Sequence, residues 1–97
     1  MTNFIQKTNL KIINSEEGSV LHFIKNSDIG FKNFGEVYFS TVKKDCIKAW
    51  KMHKEMTLNL VVPVGRVLFH FIDGRKDSND YKKLHSIVLS QNPYFRL

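Results

Sequence analysis

The chain reads as all-β, of the sandwich, jelly-roll or barrel kind, on three observations. Apolar residues recur at a spacing of two far more often than at the helical 3.6. The runs that alternate are rich in β-branched and aromatic side chains, and turn-forming residues separate them every ten or so positions. No stretch carries apolar residues at i, i+3, i+4 and i+7 over the ten or more positions that a packed helix needs.

The first alternation is Leu10 with Ile12, followed by Val20, Leu21, His22, Phe23 and Ile24. Residues 35–42, from Gly35 through Val37, Tyr38, Phe39 and Thr41 to Val42, give the plainest strand signal, and Lys43, Lys44 and Asp45 close it. Residues 46–53 alternate as well, with Ile47, Ala49, Lys51 and His53 on one face and Lys48, Trp50 and Met52 on the other. Residues 57–62 and 66–72 read as two strands joined by a tight turn, for which Pro63 and Gly65 supply the backbone chemistry. The polar run 73–80 has no apolar member to bury and reads as a loop. Residues 84–89 return to strand, and Phe95 and Leu97 alternate like a strand just beginning. With no polar tail behind Leu97, the expectation is a single domain over residues 1–97 whose C-terminal strands are missing.

Across 97 residues, 15 Lys and Arg outnumber 9 Asp and Glu, giving a net charge of +6. With 42% hydrophobic and 12% aromatic side chains, disorder throughout is excluded. The longest apolar run, 58–64, is broken by Asn59 and falls far short of the roughly 20 residues that span a membrane. Residues 1–7 have no apolar core of signal-peptide length. The single cysteine, Cys46, has no internal partner and no zinc-ligand spacing, so a reduced cytoplasmic protein without a membrane partner is expected. A domain this size buries only about 60–65% of its unfolded surface, which makes a homodimer the expected assembly.

Chemistry-bearing residues concentrate in Trp50-Lys51-Met52-His53 and in Thr57 and Asn59 beyond it. If Lys51 and His53 share one face and Thr57 and Asn59 the facing one, four polar groups meet where a β core is normally apolar. Unpaired, each would cost about 1–3 kcal/mol, so either a ligand pocket or a solvated face explains them. A His-x-His metal centre would need an imidazole where Lys51 stands, and an ammonium repels a cation, so no metal is expected. His22, His70 and His85 stand alone on separate predicted strands, with His70 facing away from Phe69 and Phe71. Asp73 and Arg75 end the 66–72 strand, where they can pair with each other, cap a pocket mouth or stand in solvent. Charge and aromatics admit nucleic acid as a partner. It is not the expected one, because the basic residues are scattered and most Phe residues alternate as core residues do.

Residues 34–42 and the run Ile47-Lys48-Ala49-Trp50-Lys51-Met52-His53-Lys54-Glu55-Met56-Thr57-Leu58-Asn59 carry a family resemblance. With Gly65 through Asp73-Gly74-Arg75 to Ser78, and Asp28-Ile29-Gly30-Phe31, they resemble the dTDP-4-dehydrorhamnose 3,5-epimerase family of cupin-fold proteins, especially a divergent related branch. The resemblance covers roughly residues 28–97. It implies a cupin-type jelly roll (double-stranded β-helix), commonly dimeric, acting without a cofactor on a nucleotide-linked 4-keto-6-deoxy sugar. The 4-keto group acidifies the hydrogens on C3 and C5; a base removes one, a cation holds the enolate, and an acid on the opposite face returns a proton. The family's segment around its catalytic histidine falls on Lys48 to Lys51, with lysine at the histidine position. His53 matches a second histidine of the divergent branch and is the candidate base. The family's enolate-stabilising lysine falls near Asn59, and Asp73 and Arg75 match the end of its Val-Asp-x-Arg strand. The tyrosine acid of such enzymes lies beyond residue 97. The resemblance therefore implies His53 and Asp73 as catalytic residues, with Lys48, Lys51, Asn59 and Arg75 binding substrate. The alternative is a degenerate, non-catalytic cupin serving as a binding or structural dimer.

Overall fold

In a computed structural model that describes residues 4–54 and 56–97, the chain is all-β. Among the described residues the strands are β1 (Thr8–Asn9), β2 (Ile12–Ile13), β3 (Val20–Leu21), β4 (Val67–Ile72), β5 (Leu84–Leu89) and β6 (Phe95–Arg96). They form three antiparallel pairs, β1 with β6, β2 with β3 and β4 with β5. No helix among the described residues is long and apolar enough to cross a membrane.

The β4–β5 hairpin is the most regular part, and its cause is the period-two pattern of both runs. Val67, Phe69 and Phe71 turn inward while Leu68, His70 and Ile72 stay exposed. Phe69 and Phe71 stack with ring centres 5.9 Å apart and planes within 8°. The register pairs Val67 with Leu89 at one end and Ile72 with Leu84 at the other. Gly65, at a φ of 83°, completes the turn before β4, a conformation that favours a residue without Cβ.

At the C-terminus, β6 sets Arg96 opposite Thr8 and Phe95 opposite Asn9. Leu97 extends the contact on the other side: its N–H donates to the Leu60 carbonyl at 3.1 Å, and the Leu60 N–H donates back at 2.9 Å. The C-terminal residues thus lie between the N-terminal strand and residue 60. The core forms where these pieces meet β5, with Val62, Leu89 and Phe95 buried and Leu60, Val67, Phe69, Ile87 and Leu97 packed around them. Tyr94 ties in the second hairpin by donating from its hydroxyl to the His22 carbonyl at 2.7 Å.

Among the described residues three expected strands are absent, over 35–42, 46–53 and 57–62. Their sequences suit a pleated surface, but a segment becomes a strand only where a neighbour completes its ladder, and here none does beyond the Leu60–Leu97 pair. Every described residue from 32 to 58 is exposed. A turn does form at Lys43–Cys46, closed by the Cys46 N–H on the Lys43 carbonyl at 3.0 Å. The chain folds back on itself there, so that the Lys48 Nζ donates to the Ser40 hydroxyl at 2.7 Å and the Thr41 carbonyl at 2.9 Å. The Lys51 ammonium sits 5.8 Å from the centre of the Tyr38 ring.

Candidate functional site

Strand β4 delivers the chain to Asp73, which is only 3% exposed and whose carbonyl accepts the Lys82 N–H at 2.9 Å. Arg75 grips this carboxylate with a two-pronged fork, Nε to Oδ1 at 3.0 Å and Nη2 to Oδ2 at 2.8 Å, while its own backbone N–H donates to Oδ1 at 3.0 Å. These bonds, with a further one from Ser78, hold the Asp73 carboxyl well below its ordinary value despite the opposing effect of burial. The same bond to Asp73 raises Arg75. The loop behind them is a chain of turns. The Ser78 N–H bonds the Arg75 carbonyl at 3.1 Å, and the Asp80 N–H bonds the Ser78 hydroxyl at 3.1 Å.

Arg75, Asp77, Ser78 and Asn79 border a shallow, open surface depression of about 210 Å³. It is bordered by carboxylate, amide, hydroxyl and guanidinium groups. A carboxylate so strongly held as Asp73 is a poor proton acceptor; it orients Arg75. Of the three arrangements open to Asp73 and Arg75 from sequence, the structure shows the mutual pair.

The basic residues occupy another part of the molecule. Lys48, Lys51 and His53 lie on the exposed 32–58 segment. Lys48 is engaged with Ser40 and Thr41, and His53 makes no hydrogen bond or ion pair among the described residues. The convergence of Lys51 and His53 with Thr57 and Asn59 on facing strands is not formed, because neither run is a strand. Asn59 instead sits beside Gly30, close to Arg96: a Cβ added at Gly30 would lie 3.9 Å from both the Asn59 side-chain oxygen and the Arg96 Nη2.

Sequence reasoning misses Arg96. It is 2% exposed, donates from Nη1 to the Phe23 carbonyl and from Nη2 to the Ile29 carbonyl, each at 2.8 Å, and lies 3.7 Å from the Asp28 carboxylate. The available signal is its place between Phe95 and Leu97 in an alternating run, which aims it at the opposite side of β6. His85 also falls outside the sequence-derived site. It shares the inward side of β5 with Ile87 and Leu89, its ring meets Phe4 edge-on at 5.6 Å, and its Nε2 stands 3.9 Å from Asp80 Oδ1, too far for a hydrogen bond.

The six sequence-derived site residues therefore divide into an Asp73–Arg75 pair at an open polar depression, a lysine–histidine segment, and Asn59 beside Gly30. No hydrogen bond or ion pair joins the three groups among the described residues, and no three His, Cys, Asp or Glu side chains gather there as a metal site. Compared with protein-family models, curated proteins and solved structures, the chain matches none.

Proposed function

We propose that this chain is a cytoplasmic, cupin-type jelly-roll protein of the nucleotide-sugar epimerase or isomerase kind, acting on a dTDP-linked 4-keto-6-deoxyhexose. The observation that supports the reading is the Asp73–Arg75 fork beside an open polar depression, at the place where the sequence resemblance puts an aspartate that supports the pocket and an arginine. In this reading His53 removes the C3 or C5 proton, and solvent water returns one to the opposite face of the enolate. Lys48 and Lys51 hold the enolate or the diphosphate, Asn59 donates a hydrogen bond to the sugar, and Asp73 keeps Arg75 aimed at it. No cofactor takes part, because the substrate's own keto group stabilises the carbanion as an enolate. The net charge of +6 favours a doubly phosphorylated ligand.

A second reading, a binding or structural protein without turnover, is favoured by one observation: His53 has no carboxylate beside it among the described residues to orient its ring. Incubation with a dTDP-4-keto-6-deoxyhexose in heavy water separates the two. Deuterium at C3 or C5, read by mass spectrometry and NMR, is the expected result. Binding of the nucleotide sugar without any uptake would replace the enzyme reading with the binding one.

A further inference from the structure

We propose that residues 34–54 form a contact surface for an anionic lipid bilayer, with lysines on the headgroups and apolar side chains at the acyl boundary. The first argument is charge. Residues 43–55 hold five lysines, Lys43, Lys44, Lys48, Lys51 and Lys54, against Asp45 and Glu55. That is a net +3 on thirteen residues, half of the +6 carried by the whole chain. All five lysines are exposed. A cluster of four to eight basic side chains is the composition that anionic headgroups attract.

The second argument is what stands among those lysines. Phe34, Phe39, Ile47, Trp50 and Met52 are all exposed, Phe39 at 93%, Ile47 at 91% and Met52 at 78%. The two runs that carry them share one surface, because Lys48 bonds Ser40 and Thr41 and the Lys51 ammonium lies 5.8 Å from the centre of the Tyr38 ring. A contiguous exposed apolar patch marks a protein or membrane contact, and aromatic rings beside lysine are the side chains that settle at headgroup level.

Two features favour lipid over a single-stranded nucleic acid. Bases stack on flat rings, whereas Ile47 and Met52 protrude as fully as the aromatics and gain free energy only in an apolar medium. The chain's three arginines, Arg66, Arg75 and Arg96, which would fork onto individual phosphates, all lie outside the segment. Its backbone sets the depth. Residues 34–54 have no ladder partner among the described residues, and unpaired N–H and C=O groups are excluded from the hydrocarbon core. The contact is therefore shallow, about 5–10 Å into the headgroup and acyl boundary, where water still reaches the backbone. The sequence expectation of no membrane partner rests on the lack of a spanning run, which a surface contact does not need.

Trp50 is the chain's single tryptophan, so its fluorescence reads the proposed surface on the unmodified protein. The test adds vesicles of equal parts phosphatidylglycerol and phosphatidylcholine, with no nucleotide sugar present, so its outcome is independent of the catalytic proposal. The Trp50 emission should shift to the blue and the protein should sediment with these vesicles, less so as salt rises. Pure phosphatidylcholine should bind at least about tenfold more weakly. The double variant Lys43→Gln, Lys44→Gln should weaken binding about twentyfold. The same charge change outside the segment, Lys76→Gln with Lys83→Gln, should leave binding as in the wild type. Phe39→Ser with Ile47→Ser keeps every charge and should still cost at least about tenfold. Several results would overturn the proposal: no binding to the mixed vesicles, equal binding to both kinds, or equal losses in the two lysine pairs. So would a Trp50 shift that polyuridylate or raised protein concentration produces and vesicles do not.

Discussion

Asp73 keeps its charge to lower pH because of its neighbours. Because Arg75 and Ser78 bond the ionised form, its folded value lies below the ordinary 3.8. A depressed carboxylate contributes stability above its unfolded value and loses it as pH falls toward the folded one. Wild-type stability should therefore decline from about pH 5 down to pH 2, and Asp73→Asn should flatten that decline, as thermal melts at stepped pH would record. Arg96 makes a different demand: one planar group reaches two carbonyls, from Phe23 and Ile29, in different directions. Arg96→Lys should cost about 1–2 kcal/mol, because a single ammonium does not reach both carbonyls and one hydrogen bond to a charged group is lost; urea midpoints for the two proteins measure it. The Asp73–Arg75 pairing is legible in the sequence because both partners lie within three residues. The Arg96 contacts are not, since their acceptors are more than sixty positions away in the chain.

Elements are legible where each strand has its partner nearby. The alternation in 66–72 and 84–89 yields β4 and β5, with His70 opposite to Phe69 and Phe71 as expected. An equally strong pattern in 35–42 produces no strand, because alternation states which face is apolar and says nothing about whether an edge is present to pair with. The 57–62 run is intermediate: it meets the C-terminus only through Leu60 and Leu97. What fixes the hairpin in place is the small core behind it. Leu89 is fully buried against Val62 and Phe95. Leu89→Ala should cost about 2–5 kcal/mol, a large part of the stability of so small a domain, and chemical denaturation should show it as a lowered midpoint with an unchanged slope.

At the scale of the whole molecule, a modest core supports a surface that is both basic and unusually apolar. Among the described residues the candidate site residues lie in three separate places rather than in one pocket, with Lys48, Lys51 and His53 on the exposed middle segment and Asp73 buried beneath Arg75. The candidate residues are picked out in the sequence by type and by resemblance, while their mutual placement depends on contacts that no local pattern encodes. If the Lys51 ammonium meets a phosphate, Lys51→Ala should weaken binding of a thymidine diphosphate sugar roughly tenfold, close to 1.4 kcal/mol. Titration calorimetry would detect that change, and an unaltered dissociation constant would remove Lys51 from the site. The most direct test of the whole account is deuterium incorporation at C3 and C5 of a dTDP-4-keto-6-deoxyhexose, run side by side on the wild type and on His53→Ala. The account predicts exchange by the wild type and a loss of about a hundredfold or more in the variant; equal exchange by both proteins would contradict it.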